Sequence, residues 1–168
     1  MKKILLHTCC APCTTQVLED LRAEHFDITG FFYNPNIFPP EEYDKRKKCM
    51  EQYGELVNLP MYFIENDLEH RSGDCPFCYE TRLTRTAQFA KGKGFDAITT
   101  TLLVSPYQNH DLIKKIGFQI EEEFGVIFLY RDFRPHYKKG RLLAKEHNLY
   151  CQKHCGCASS LKLKEAKR

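Results

Sequence analysis

Five short apolar runs punctuate the chain, at residues 4–6, 28–33, 61–64, 97–103 and 126–129, and the stretches between them place apolar residues at helical spacing. The first such stretch begins at Pro12, sets Val17, Leu18 and Leu21 on one face and ends near His25. A second opens at Pro40, turns Tyr43, Met50 and Tyr53 to one side and stops at Gly54. The third covers about 76–91, carries Leu83, Ala87 and Ala90, and closes at Gly94. The fourth has the clearest period: Asn109 stands as N-cap before Leu112, Ile113, Ile116, Ile120 and Phe124. Strands alternating with helices in this way build a parallel sheet from right-handed βαβ units. The expectation is one Rossmann-like, three-layer α/β domain over residues 1–168, with a five-stranded parallel sheet and a cysteine-rich C-terminal extension.

Composition narrows the setting. A hydrophobic fraction of 42% and a charged fraction of 28% are ordinary for a globular domain. No apolar run approaches the roughly 20 residues that span a bilayer. After Met1-Lys2-Lys3 the apolar part is too short for a secretory signal, which points to the cytoplasm. Thiols stay reduced there, so nine cysteines read as metal ligands or catalysts instead of a disulfide framework. The net charge of +3 permits a polyanionic partner without demanding one. Basic groups do gather in Tyr137-Lys-Lys-Gly-Arg141 and at Lys162, Lys164, Lys167 and Arg168, where a solvated surface explains them equally well.

The cysteines carry the chemistry. Cys9, Cys10 and Cys13 follow the first strand directly, at the edge where open α/β sheets bind their ligands. Cys75-Pro-Phe-Cys78 follows the third strand after a polar loop at 65–74, and Cys155-Gly-Cys157 lies in the extension. Cys49, alone in mid-helix, reads as packing, and Cys151 as incidental. The first loop lacks the glycines that cradle phosphate, which counts against nucleotide hydrolysis. Zinc and iron–sulfur clusters both take four thiolates, and spacing alone does not separate them. One CxxC is a weak sign of thioredoxin-like exchange. His7 and His154 read as hydrogen-bonded structural residues more readily than as ligands. A Cys-Gly-Cys disulfide closes a small, distorted ring that is easily reduced, and glycine suits its backbone, so a redox-active disulfide is expected at Cys155 and Cys157.

Six blocks taken together resemble one family. They are Leu6-His-Thr-Cys-Cys-Ala-Pro-Cys13, Tyr33-Asn-Pro-Asn-Ile37, Cys75-Pro-Phe-Cys-Tyr79 with Arg82, Thr99-Thr-Thr-Leu-Leu-Val-Ser-Pro-Tyr107, Tyr130-Arg-Asp-Phe-Arg134 and Cys155-Gly-Cys157. Their order and content are similar to those of the QueH family of epoxyqueuosine reductases. The resemblance implies a HUP-type fold and a cytoplasmic, cobalamin-independent enzyme that reduces the epoxide of epoxyqueuosine at the tRNA wobble position. It implies a [4Fe-4S] cluster on Cys9, Cys10, Cys75 and Cys78, with Cys13 spare and a second metal ion as a further option, and it strengthens the disulfide reading of Cys155 and Cys157. The electron donor is unidentified, and the proton donor stays open among Asp74, Tyr107, Asp132 and Arg134. The alternative from another class is a non-catalytic zinc-binding RNA module.

Overall fold

The computed structural model describes residues 1–65 and 74–167, so most of the 65–74 loop expected from the sequence lies outside the described residues. Strand β1 (Lys3–His7) is central: Ile4, Leu5 and Leu6 are buried on both faces, as a strand covered by helices on either side must be. It pairs in parallel with β2 (Asp27–Phe32) on one side and β4 (Ala97–Thr100) on the other. Beyond these lie β3 (Met61–Phe63) and β5 (Ile127–Phe128), giving the order β3-β2-β1-β4-β5, parallel throughout. The expected five-stranded α/β sheet is present.

Helix α1 (Ala11–Ala23) packs on α2 (Pro40–Leu56) and on α5 (Tyr137–Glu146), while α3 (Cys75–Lys93) packs on α4 (His110–Phe124). The crossovers β1-α1-β2 and β2-α2-β3 run one way from the centre, and β4-α4-β5 runs the other. Order therefore reverses between β1 and β4, the switch point at which such sheets open a crevice beyond their carboxyl ends.

Capping follows the sequence closely. Asn109 accepts from the Leu112 N–H at 3.1 Å, and Gly94 takes the left-handed conformation (φ 71°) past α3.

Two readings need correction, and the C-terminal extension gains detail. Helix α2 runs through Gly54 to Leu56, because Gly54 serves close packing: a Cβ there would sit 3.0 Å from the Met61 Cγ. The fourth strand stops at Thr100, since the Thr100 hydroxyl accepts from the Leu102 N–H and folds Thr101–Val104 into a 3₁₀ turn. Past residue 129 the chain is helical as well as cysteine-rich, adding α5 and α6 (Ala158–Ala166).

Candidate thiol centre

The loop between β1 and α1 and the first turn of α1 together place three thiols at the switch point. Among the described residues, the one place where three or more metal-ligating side chains bring their ligand atoms within 4.8 Å of one another is Cys9, Cys10 and Cys13. The Cys9 and Cys10 sulfurs are 3.8 Å apart. Cys10 is the N-cap of α1, and its sulfur accepts from the Cys13 N–H at 3.4 Å. Thr101, turned inward by the 3₁₀ segment after β4, accepts from the Cys9 N–H at 3.1 Å and donates to its sulfur at 3.2 Å. The two central strands thus fix the nest from both sides.

Thiols this close cannot all ionise. Donation from Cys10, Cys13 and Thr101 pulls Cys9 well below its ordinary range against the cost of burial, whereas burial pushes Cys10 up and the neighbouring sulfurs push Cys13 up.

Cys75 and Cys78 occupy the first turn of α3 and stand outside that tight nest. The Cys78 sulfur accepts from the Asn36 amide at 3.0 Å. Two residues earlier, the buried Asn34 amide donates to the Thr8 carbonyl at 3.0 Å, so the turn after β2 bridges the two cysteine pairs. Burial and the nearby Cys78 and Cys157 raise Cys75.

Cys155 and Cys157 are free thiols in this structure, so the disulfide expected from the sequence is unformed here. Cys157 caps α6 and accepts from the Ser160 N–H at 3.3 Å. Hydrogen bonding from Cys155, supported by N–H groups at the helix start, lowers Cys157 to about 4, and the same bond with burial drives Cys155 up. The Cys155 sulfur accepts from Gln108 at 3.2 Å, and Gln108 in turn accepts from the Tyr79 hydroxyl at 2.6 Å.

A cavity of about 610 Å³ opens over these groups. Cys9, Cys13 and Cys155 line it together with Tyr107, Gln108 and Gln152, and Arg141, Lys153, Lys164 and Lys167 stand around it. Of the four candidate proton donors, Tyr107 lines the cavity. The Asp74 carboxylate caps α3 through the Phe77 N–H, and Asp132 is paired with Arg134 at 2.7 Å, whose hydrogen bonds hold it at about 2. His7 and His154 are engaged as structural residues, on Tyr33 and Thr100 and on Phe38 respectively. Cys49 is buried in the core.

Sequence reasoning missed the side chains that hold the thiols. Gln152 donates to the Cys10 sulfur at 2.9 Å and reaches the Cys13 sulfur at 3.8 Å. Arg46 is buried in α2, paired with Glu42 at 2.7 Å, and donates to the carbonyls of His154 and Cys155 at 2.9 and 3.0 Å. The one available signal was Glu42 and Arg46 standing four apart in a charged helix.

A parallel α/β sheet with thiols in place of a phosphate-binding glycine loop at its switch point defines a Rossmann-like thiol-centre protein. Residues 4–163 match the family described as epoxyqueuosine reductase QueH. The epoxyqueuosine reductase QueH of Thermotoga maritima is 36% identical over 96% of this chain and 91% of its own length, and that of Dehalococcoides mccartyi is 34% identical over 94% and 92%. Among solved structures, the U34-tRNA thiolase NcsA from Methanococcus maripaludis with its [4Fe-4S] cluster superposes with a TM-score of 0.65 at 13% identity. It covers 90% of this chain and 59% of that one, a likeness of fold. A predicted tRNA methyltransferase subunit from Methanocaldococcus jannaschii gives 0.51 at 9% identity, over 87% and 75%. The chain belongs to the epoxyqueuosine reductase QueH family and is an oxidoreductase.

Proposed function

We propose that this protein reduces the epoxide of epoxyqueuosine, carried at the tRNA wobble position, to the cyclopentene of queuosine. Cys9, Cys10, Cys75 and Cys78 would hold a [4Fe-4S] cluster, and Cys155 and Cys157 act as a dithiol. The observation that carries this reading is the cavity itself, lined by Cys9, Cys13 and Cys155 together with four cationic side chains.

The donor set fits a cluster. All four proposed ligands are thiols, two buried in the loop after β1 and two one helical turn apart on α3, and the Asn34–Asn36 turn ties the pairs together. When bound, the cluster supplies single electrons and an iron able to polarise the epoxide oxygen. The chain's own groups supply the rest. Two thiols closing to a disulfide release two electrons and two protons, and an epoxide leaving as water to give an alkene consumes the same. One turn of the Cys155–Cys157 pair therefore matches one epoxide, and a reductant from outside the chain reopens it. Tyr107, which lines the cavity, would supply a proton to the departing oxygen. Arg141, Lys153, Lys164 and Lys167 meet phosphates, while the cavity takes the modified base. The setting is the cytoplasm.

One observation favours a second reading, the non-catalytic zinc-binding RNA module. The 3.8 Å between the Cys9 and Cys10 sulfurs equals the edge, about 3.8 Å, of a tetrahedron of thiolates around Zn²⁺. Anaerobic iron and sulfide analysis with EPR on the reduced protein decides between them. Iron and sulfide near four each, falling in Cys78→Ser, support the cluster; a colourless protein with one zinc overturns it.

A further inference from the structure

Arg82 is almost fully buried on α3, turned away from solvent. Its Nε and Nη2 both donate to the Asn36 Oδ1, at 3.1 and 2.6 Å. A guanidinium has only donors, so this fork admits one orientation of the amide: oxygen toward Arg82, nitrogen away from it. The nitrogen then points at the Cys78 sulfur, 3.0 Å off. Asn36 is itself buried, so the N–H···S bond works in a low-dielectric surrounding.

We infer that Asn36, held by Arg82, is a positioning residue that sets the reduction potential of the proposed cluster through a hydrogen bond to the Cys78 sulfur. The inference rests on the cluster reading above. A donor on a ligand sulfur stabilises the more negative, reduced state, and hydrogen bonds to sulfur are among the levers that tune cluster potentials. Without Arg82 the amide is free to turn its oxygen to the sulfur, and the effect is lost.

The test is an EPR-monitored redox titration of anaerobically reconstituted protein. Asn36→Leu, of similar volume without a donor, is expected to keep wild-type iron and sulfide yet shift the midpoint potential downward. Asn36→Asp keeps the shape and the Arg82 contact while replacing the donor with an acceptor, and is expected to shift it further. It also serves where the leucine variant fails to fold. Arg82→Lys, which retains a donor for the Asn36 oxygen, is expected to stay near wild type, and Arg82→Met to follow Asn36→Leu. Wild-type potentials in both Asn36 variants, with full clusters, would overturn the inference and leave the cluster reading standing. A wild-type protein that takes up no iron and sulfide would overturn the cluster reading, and the inference with it.

Discussion

Both ring nitrogens of the buried His7 are engaged, with the Tyr33 carbonyl at 3.1 Å and the Thr100 hydroxyl at 2.9 Å. Burial, reinforced by the Arg82 charge, lowers its pKa from 6.5 to about 4. An unfolded histidine takes up a proton near 6.5 and this one resists until near 4. The stability it contributes is therefore whole above pH 6.5 and lost between pH 6.5 and 4, by about 3 kcal/mol. Urea midpoints measured across that window should fall in the wild type and fall less steeply in His7→Gln. At the cavity, Tyr107→Phe removes the proposed proton source and should lower kcat about 100-fold with cluster content unchanged. Unchanged kcat would exclude Tyr107. Cys157→Ser should likewise keep its cluster and turn over slowly, and wild-type turnover there would make the thiol pair dispensable. The cysteines were legible as chemistry from spacing alone. Their supports were not, because Gln152, Gln108 and Asn36 are polar residues of loops and turns whose cysteine partners lie at least 42 positions away.

Between elements, the most consequential joint is α2 against the segment before α6. Arg46 bonds Glu42 and two carbonyls, Tyr150 donates to Glu42 at 2.6 Å, and the Phe38 N–H donates to the Gly156 carbonyl at 2.7 Å. Gly156 has φ 124°, and a Cβ there would lie 2.9 Å from the Arg46 Nη1, so backbone and space both require glycine. Arg46→Met takes the charged partner from the buried Glu42 carboxylate, leaving it the Tyr150 hydroxyl, and should cost about 3 kcal/mol in chemical denaturation. Limited proteolysis should then cut near residues 154–157, where the wild type is protected. From sequence this joint showed only as the Glu42–Arg46 spacing, since a helix as charged as α2 reads as solvent-facing and the fold alone reveals Arg46 turned inward. The overlong fourth strand has a similar origin. The β-branched run that predicts a strand to 103 includes Thr100 and Thr101, whose hydroxyls are committed to the 3₁₀ turn and to Cys9.

At the scale of the molecule, the parallel five-stranded sheet was recoverable because strand and helix alternate without interruption, whereas the strand order β3-β2-β1-β4-β5 came only with the fold. Charge was less informative, as the net +3 says nothing about where cations stand. The fold gathers Arg141, Lys153, Lys164 and Lys167 around one cavity. If each neutralises one phosphate of single-stranded anticodon loop, log affinity for tRNA should fall against log salt with a slope of about −3. Exchanging Lys164 and Lys167 for glutamine should make that slope shallower by about 1, and a slope near zero in the wild type would rule out phosphate contact at this rim.

Time enters through Gln152, which covers Cys10 from 142 positions further along the chain. A ribosome adding 5–20 residues each second delivers that cover roughly 7–30 s after the thiol loop. For that interval Cys10 stands without its Gln152 cover, open to thiol reagents and oxidants. A chain truncated after Glu146 should have its Cys10 alkylated quickly, whereas the complete chain protects it.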